Sequence, residues 1–262
     1  MSLENFGIFL IMTIVPVASM GYYIYCRDEY KPEPWLALLL ANFFGIICAA
    51  ISIYVTSLWG FESFYQMDFS PLLGAHLSNQ EIGEKILPLM KIILLNNGLT
   101  MGFLLVFLAL NRFFDEQLDG VVYSSFIGLG FIFWQNLIFL WHQETATVGA
   151  PTLRAFFLIP IFYFGSILMG YYASRLWFRR PRFNWRLAYD ILLFVAMPIL
   201  SHLILISLLL LAEIQFKPWL GVILSCLFTY LCFLFMSYAV QRIDSLLTRD
   251  VLEKRVTFSG DK

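Results

Sequence analysis

The stretch Lys91–Trp141, KIILLNNGLTMGFLLVFLALNRFFDEQLDGVVYSSFIGLGFIFWQNLIFLW, decides the fold of this chain. It reads as two apolar helices joined by a short acidic hairpin. Each helix carries two adjacent amides at depth, Asn96 and Asn97 in the first, Gln135 and Asn136 in the second. An unpaired side-chain amide in hydrocarbon costs several kcal/mol, roughly 4–8 on a cyclohexane scale. These residues therefore pair with one another or line a polar cavity, and the choice bears directly on function.

Working outward, composition sets the class. The 262 residues are 60% hydrophobic, 18% aromatic and 13% charged, with a mean hydropathy of +0.76, whereas globular chains carry about 25% charged residues. The chain is expected to be all-α, a polytopic transmembrane helical bundle. A net charge of −1 without a basic tract argues against nucleic acid as a partner. Cys26, Cys48, Cys226 and Cys232 lie in or beside apolar segments without metal-ligand spacing. They read as small buried hydrophobes, not as disulfides or a zinc site.

A spanning helix needs about 20 predominantly apolar residues, and seven segments qualify, near 5–25, 35–58, 86–110, 119–141, 152–177, 187–212 and 218–241. The connector 59–85 is too long for a turn and predicts a short interfacial or re-entrant helix. The first segment lacks a basic n-region and a small-residue cleavage pattern, so it reads as a retained helix rather than a signal peptide. Pro16, Pro160 and Pro198 are expected to kink their helices, and Gly128, Gly130, Gly165 and Gly170 to let helices approach closely. Assigning connectors alternately to the two faces puts 13 basic residues on one side and four on the other. The positive-inside rule then places the N-terminus outside and the C-terminus in the cytoplasm. Residues 1–241 form the bundle and 242–262 a cytoplasmic helical tail. The cluster Arg175–Arg186 is expected to anchor the fifth and sixth helices to lipid headgroups.

Asn96, Asn97, Thr100, Gln135, Asn136 and His202 fall in a band from the outer leaflet towards the midplane at 1.5 Å rise per residue. Thr100, four residues after Asn96, projects from the same helix face. No Asp or Glu shares this depth, since Asp190 sits in the first turns of the sixth helix near the cytoplasmic interface. Hydrolysis needs a group that deprotonates water, or a metal-bound hydroxide, or a nucleophile with a base. Amides supply none of these. For the amides, interhelical glue and a polar binding pocket both stay open, and the plain reading of His202 is an interhelical contact.

Four pieces of the chain, in order, carry a family resemblance. YYIYCRDEYKPEPW (22–35) resembles the aromatic-rich Arg-Asp…Pro-Glu-Pro segment that follows the first helix in PrsW-type intramembrane proteases. FDEQLDGVVYSSFIGLGFIFWQN (114–136) is similar to that family's Asp-Glu-Pro-x-Asp-Gly-x-x-Tyr…Gly-x-Gly-Phe-x-x-x-Glu-Asn block, IPIFYFGSILMGYY (159–172) to its Pro-x-His…Gly-x-x-x-Gly-Tyr-Tyr segment, and PILSH (198–202) to its Pro-x-x-x-His. The family is of glutamic type, related to the CAAX-protease-like membrane peptidases.

The resemblance implies a centre of two adjacent glutamates, a third glutamate and two histidines that cuts a single-span substrate near its extracytoplasmic end. Carried over by spacing, the glutamate pair falls on Asn96 and Asn97, a following lysine on Thr100, the third glutamate on Gln135 and the first histidine on Phe162. His202 alone is retained. Arg27, Asp28, Glu33, Asp115, Glu116 and Asp119 form the family's cytoplasmic signature. For these the plain reading is structural: Pro32 and Pro34 set an extended connector while Asp115, Glu116 and Asp119 cap a helix. The chain thus reads as a degenerate member, a pseudoprotease without cofactor or metal. Its expected partners are membrane lipids and a transmembrane protein or larger membrane complex, in a bacterial cytoplasmic (inner) membrane. The alternatives are an active intramembrane endopeptidase, with Glu62, Asp68, Glu81 or Glu84 of the long loop folding back, and a small-molecule or lipid transporter.

Overall fold

A computed structural model of the chain describes residues 3–26, 32–60, 79–142, 158–178 and 185–214, with seven isolated helical positions between 223 and 238. Among the described residues there are six helices and no strand: α1 (Leu3–Tyr25), α2 (Trp35–Leu58), α3 (Asn79–Leu110), α4 (Gln117–His142), α5 (Ile159–Phe178) and α6 (Trp185–Ile214). Four stretches are long and apolar enough to cross a membrane: Trp35–Leu58, Met90–Leu110, Gln117–Trp141 and Trp185–Ile204. In hydrocarbon every backbone polar group must be satisfied within the segment, and a helix does this. The expected segment at 218–241 falls largely outside the described residues, as do the tail 242–262 and the loop residues 61–78.

Helix ends follow local chemistry. Pro34 is extended (φ −63°, ψ 133°), as the connector reading expects, and its carbonyl accepts the first bonds of α2 from Ala37 and Leu38 at 2.8 and 3.2 Å. α2 stops where Gly60 takes φ +71°, a left-handed conformation that only glycine adopts without strain. After α3, Asn111 folds the chain back. Its side-chain oxygen accepts the Phe113 N–H at 3.1 Å and its carbonyl the Phe114 N–H at 3.3 Å, an Asx-type turn.

Three expectations need correction. α3 begins at Asn79, so Glu81 and Glu84 belong to a helix rather than to a loop free to fold back. Pro160 stands at the second position of α5, where a missing N–H is harmless, whereas Pro16 and Pro198 lie inside helices. Of the described cysteines only Cys48 is buried; Cys26 and Cys226 are exposed, because an apolar surface here faces lipid and attracts hydrophobes outward as well as inward.

α4 is the centre of the bundle, flanked by α2 on one side and α5 on the other, with α1 also against it; α6 packs on α5, and α3 closes the ring by touching α2 and, less extensively, α6. Small residues permit this. A Cβ on Gly45 would strike the Ile127 carbonyl across the α2–α4 contact, and one on Gly170 would strike Gly120 and Ser124 across the α4–α5 contact. In lipid, such backbone approach replaces the hydrophobic effect as the source of helix association. Two long-range bonds add to it: Asn42 Nδ2 donates to the Phe126 carbonyl at 3.3 Å and Tyr163 Oη to the Met20 carbonyl at 3.0 Å.

Candidate functional site

The polar residues of α2, α3, α4 and α6 are buried together with two aromatic rings. Asn96, Asn97, Thr100, Gln135, Asn136 and His202 are all at most 5% exposed. Among the described residues the α3 amides find partners on α2 and on α3 itself. Asn96 Oδ1 accepts a short hydrogen bond from Ser52 Oγ of α2, and Asn97 Nδ2 donates to the Ile93 carbonyl one turn back at 2.8 Å. Thr100 Oγ1 likewise donates to the Asn96 carbonyl at 2.8 Å, and its oxygen lies 3.9 Å from Cys48 Sγ. Ser52 and Cys48 are therefore partners that sequence reading missed. Both lie on α2, whose even hydrophobicity hides them.

From Cys48 the contacts continue through an apolar wall. Cys48, Ala49 and Phe131 cluster together with Phe162 packed against them, and Phe162 stacks on Phe131 with centroids 5.5 Å apart. The other side of Phe162 meets the edge of the His202 ring at 4.4 Å. Gly165, one turn of α5 further, leaves the imidazole room: a Cβ there would lie 3.3 Å from its Cε1. Phe162 thus stands directly against His202, and Gln135, four residues after Phe131, shares that face of α4.

His202 has a definable protonation geometry. Its Nδ1 lies 2.7 Å from the Pro198 carbonyl, and a carbonyl only accepts, so Nδ1 carries the proton. In the neutral ring Nε2 then presents a lone pair. Among the described residues that Nε2 is buried without a hydrogen-bond partner, and so is the Nε2 of Gln135. One is an acceptor and the other a donor, the pair of functions offered by a peptide group.

At the opposite end of α4 the signature residues have structural partners. Asp119, three positions into the helix, reaches back so that its Oδ2 accepts the Asp115 and Glu116 N–H groups at 2.9 and 2.6 Å. This is the backward half of a capping box. Of the three acids expected to cap the helix, Asp119 makes these two bonds with its side chain. Glu33 is buried and accepts a short hydrogen bond from Tyr123 Oη. Asp190 is fully buried and pairs with Arg175 at 3.0 Å, which corrects the assignment of Arg175 to lipid headgroups. Arg186 is exposed beside Trp185; Arg27, Asp28, Arg179, Arg180 and Arg182 lie outside the described residues.

An apolar helical bundle enclosing buried polar residues defines a polytopic integral membrane protein. The profile described as PrsW family intramembrane metalloprotease matches residues 33–239, and the chain belongs to that family. A protein named protease PrsW from Clostridioides difficile (strain 630) is 25% identical over 197 residues, 73% of this chain and 75% of its own length. Another of that name from Geobacillus kaustophilus (strain HTA426) is 25% identical over 163 residues, 62% of this chain and 64% of its own length. No solved structure matches.

The family description specifies a metal, which the donor chemistry here does not fit. A catalytic zinc takes three protein ligands from His, Asp, Glu or Cys, and no group of three such residues occurs among the described residues. The band around His202 contains neutral amides, a phenyl ring and glycine instead.

Proposed function

We propose that this chain is a catalytically silent PrsW-type protein that binds a transmembrane helix, or a membrane complex presenting one, at the band formed by Asn96, Asn97, Gln135, Asn136 and His202. One observation carries the reading: Phe162 stands ring-to-edge against His202 at 4.4 Å, at the position the family resemblance assigns to a histidine. With amides at the three positions the resemblance assigns to carboxylates, His202 has neither an acid partner nor a second metal ligand among the described residues. The unpartnered Gln135 and His202 nitrogens supply a donor and an acceptor for the backbone of a helix locally unwound at that depth. In this reading the chain has seven spans, an extracytoplasmic N-terminus and a cytoplasmic tail, and resides in a bacterial inner membrane.

The test uses purified protein in liposomes with single-span candidate partners. Stable association without cleavage is expected, weakened by His202→Ala and by Gln135→Leu. Cleavage by the unmodified protein that disappears in His202→Ala would establish the endopeptidase instead. Helix-independent uptake of a small solute into the liposomes would favour the transporter.

A further inference from the structure

Between the start of α2 and the end of α3 lies a groove of about 370 Å³ that the polar band does not use. Its apolar lining comes from Ala37, Leu40 and Phe44 of α2 and from Phe107 and Leu110 of α3. Ala37 is the small, buried floor that gives the groove depth, while Leu40 and Leu110 are exposed along its sides. From Pro34 to Phe44 it runs about 15 Å along the helix at 1.5 Å per residue. One end is different in kind. There Asn111 and Arg112 form the mouth, and the Arg112 guanidinium lies 4.9 Å from the Phe113 ring centroid. Arg112 is exposed and makes no ion pair among the described residues.

The depth of that mouth is marked by aromatic side chains at nearby helix ends and in the α3–α4 connector. The Tyr25 and Trp35 rings lie 4.4 Å apart, tilted by 32°, and Phe114 packs on Trp177 at 5.5 Å. Aromatic belts of this kind sit at headgroup level. The groove is therefore charged at the interface and apolar below it, the polarity of a bilayer amphiphile.

We infer that this groove is a binding site for one anionic phospholipid, with an acyl chain lying between α2 and α3 and the phosphate held by Arg112. A guanidinium grips phosphate in a bidentate manner that a zwitterionic headgroup offsets with its own cation. An exposed cation above a hydrocarbon-lined slot matches the head and tail of an anionic lipid.

Native mass spectrometry of the full chain, released from micelles with equimolar phosphatidylglycerol and phosphatidylcholine of the same acyl chains, reads the site directly. The unmodified protein should retain phosphatidylglycerol preferentially. Arg112→Gln should lower that preference about fivefold, and Arg112→Lys should recover part of it. Ala37→Phe, which fills the floor, should reduce retention of both lipids; Leu40→Trp serves if that variant fails to fold. Equal retention of the two lipids, or an Arg112→Gln variant indistinguishable from the parent, overturns the assignment. So does a dimer-mass species replacing the lipid adducts, which would give the groove to a second copy.

Discussion

The bond between Tyr123 and Glu33 joins two pieces of the chain 90 residues apart, and it explains why a glutamate sits between two prolines ahead of α2. Buried in protein rather than facing water, Glu33 needs a donor. Tyr123 provides it from the second turn of α4. Tyr123→Phe keeps the ring and removes the donor, so it should destabilise the protein by about 1–3 kcal/mol, read as a lower midpoint of denaturation in micelles. The Arg175–Asp190 pair is a sharper case, with side chains 31% and 0% exposed. Arg175→Met strands a buried carboxylate and should cost about 3 kcal/mol, whereas Arg175→Met with Asp190→Leu should recover most of it. Failure of the double variant to recover would show that the pair does more than neutralise charge. At this scale the sequence disclosed Asp190's depth but not its partner, because an arginine near a membrane face reads equally well as a lipid anchor.

Among the elements, α4 binds its neighbours through positions that lack side chains. Gly170→Leu would force α5 off Gly120 and Ser124, and a loss of about 3 kcal/mol or more is expected, at the upper end for overpacking. Gly98 and Gly102 of α3 form the control, since a Cβ at either meets nothing within 4 Å. Gly98→Ala and Gly102→Ala should be neutral or stabilising by about 0.5–1 kcal/mol through helix propensity. Denaturation of the variants side by side distinguishes close packing from a general aversion to glycine replacement. The boundaries of α2 were legible from hydropathy with its flanking proline. The start of α3 was not: it continues as a helix to Asn79, beyond its apolar stretch, where hydropathy carries no signal.

Across the whole molecule, the proposed loss of catalysis can be tested by restoring the groups that the resemblance assigns to the band. Combining Asn96→Glu, Asn97→Glu, Gln135→Glu and Phe162→His beside His202 would supply the acid and imidazole groups the band lacks. Purified in the presence of zinc, the combined variant should hold about one ion where the unmodified protein holds close to none, since three or more ligands are then within the band. Metal content by elemental analysis checks this. Stoichiometric zinc in the unmodified protein would require ligands other than the described residues.

By itself, the sequence determined that this is a helical membrane protein, because uninterrupted hydrocarbon-length segments admit no other satisfied backbone in lipid. Through motif order it also pointed to the family whose profile matches residues 33–239. Only the tertiary structure decided what each polar group does. It sends Asn96 to Ser52 and Asn97 to its own helix, stands Phe162 against His202, and leaves the Gln135 and His202 Nε2 atoms without partners among the described residues. The reason is physical: hydropathy reports how much a segment prefers lipid, whereas a hydrogen-bond partner depends on which helix faces are brought together, and in this chain glycine contacts around α4 choose them.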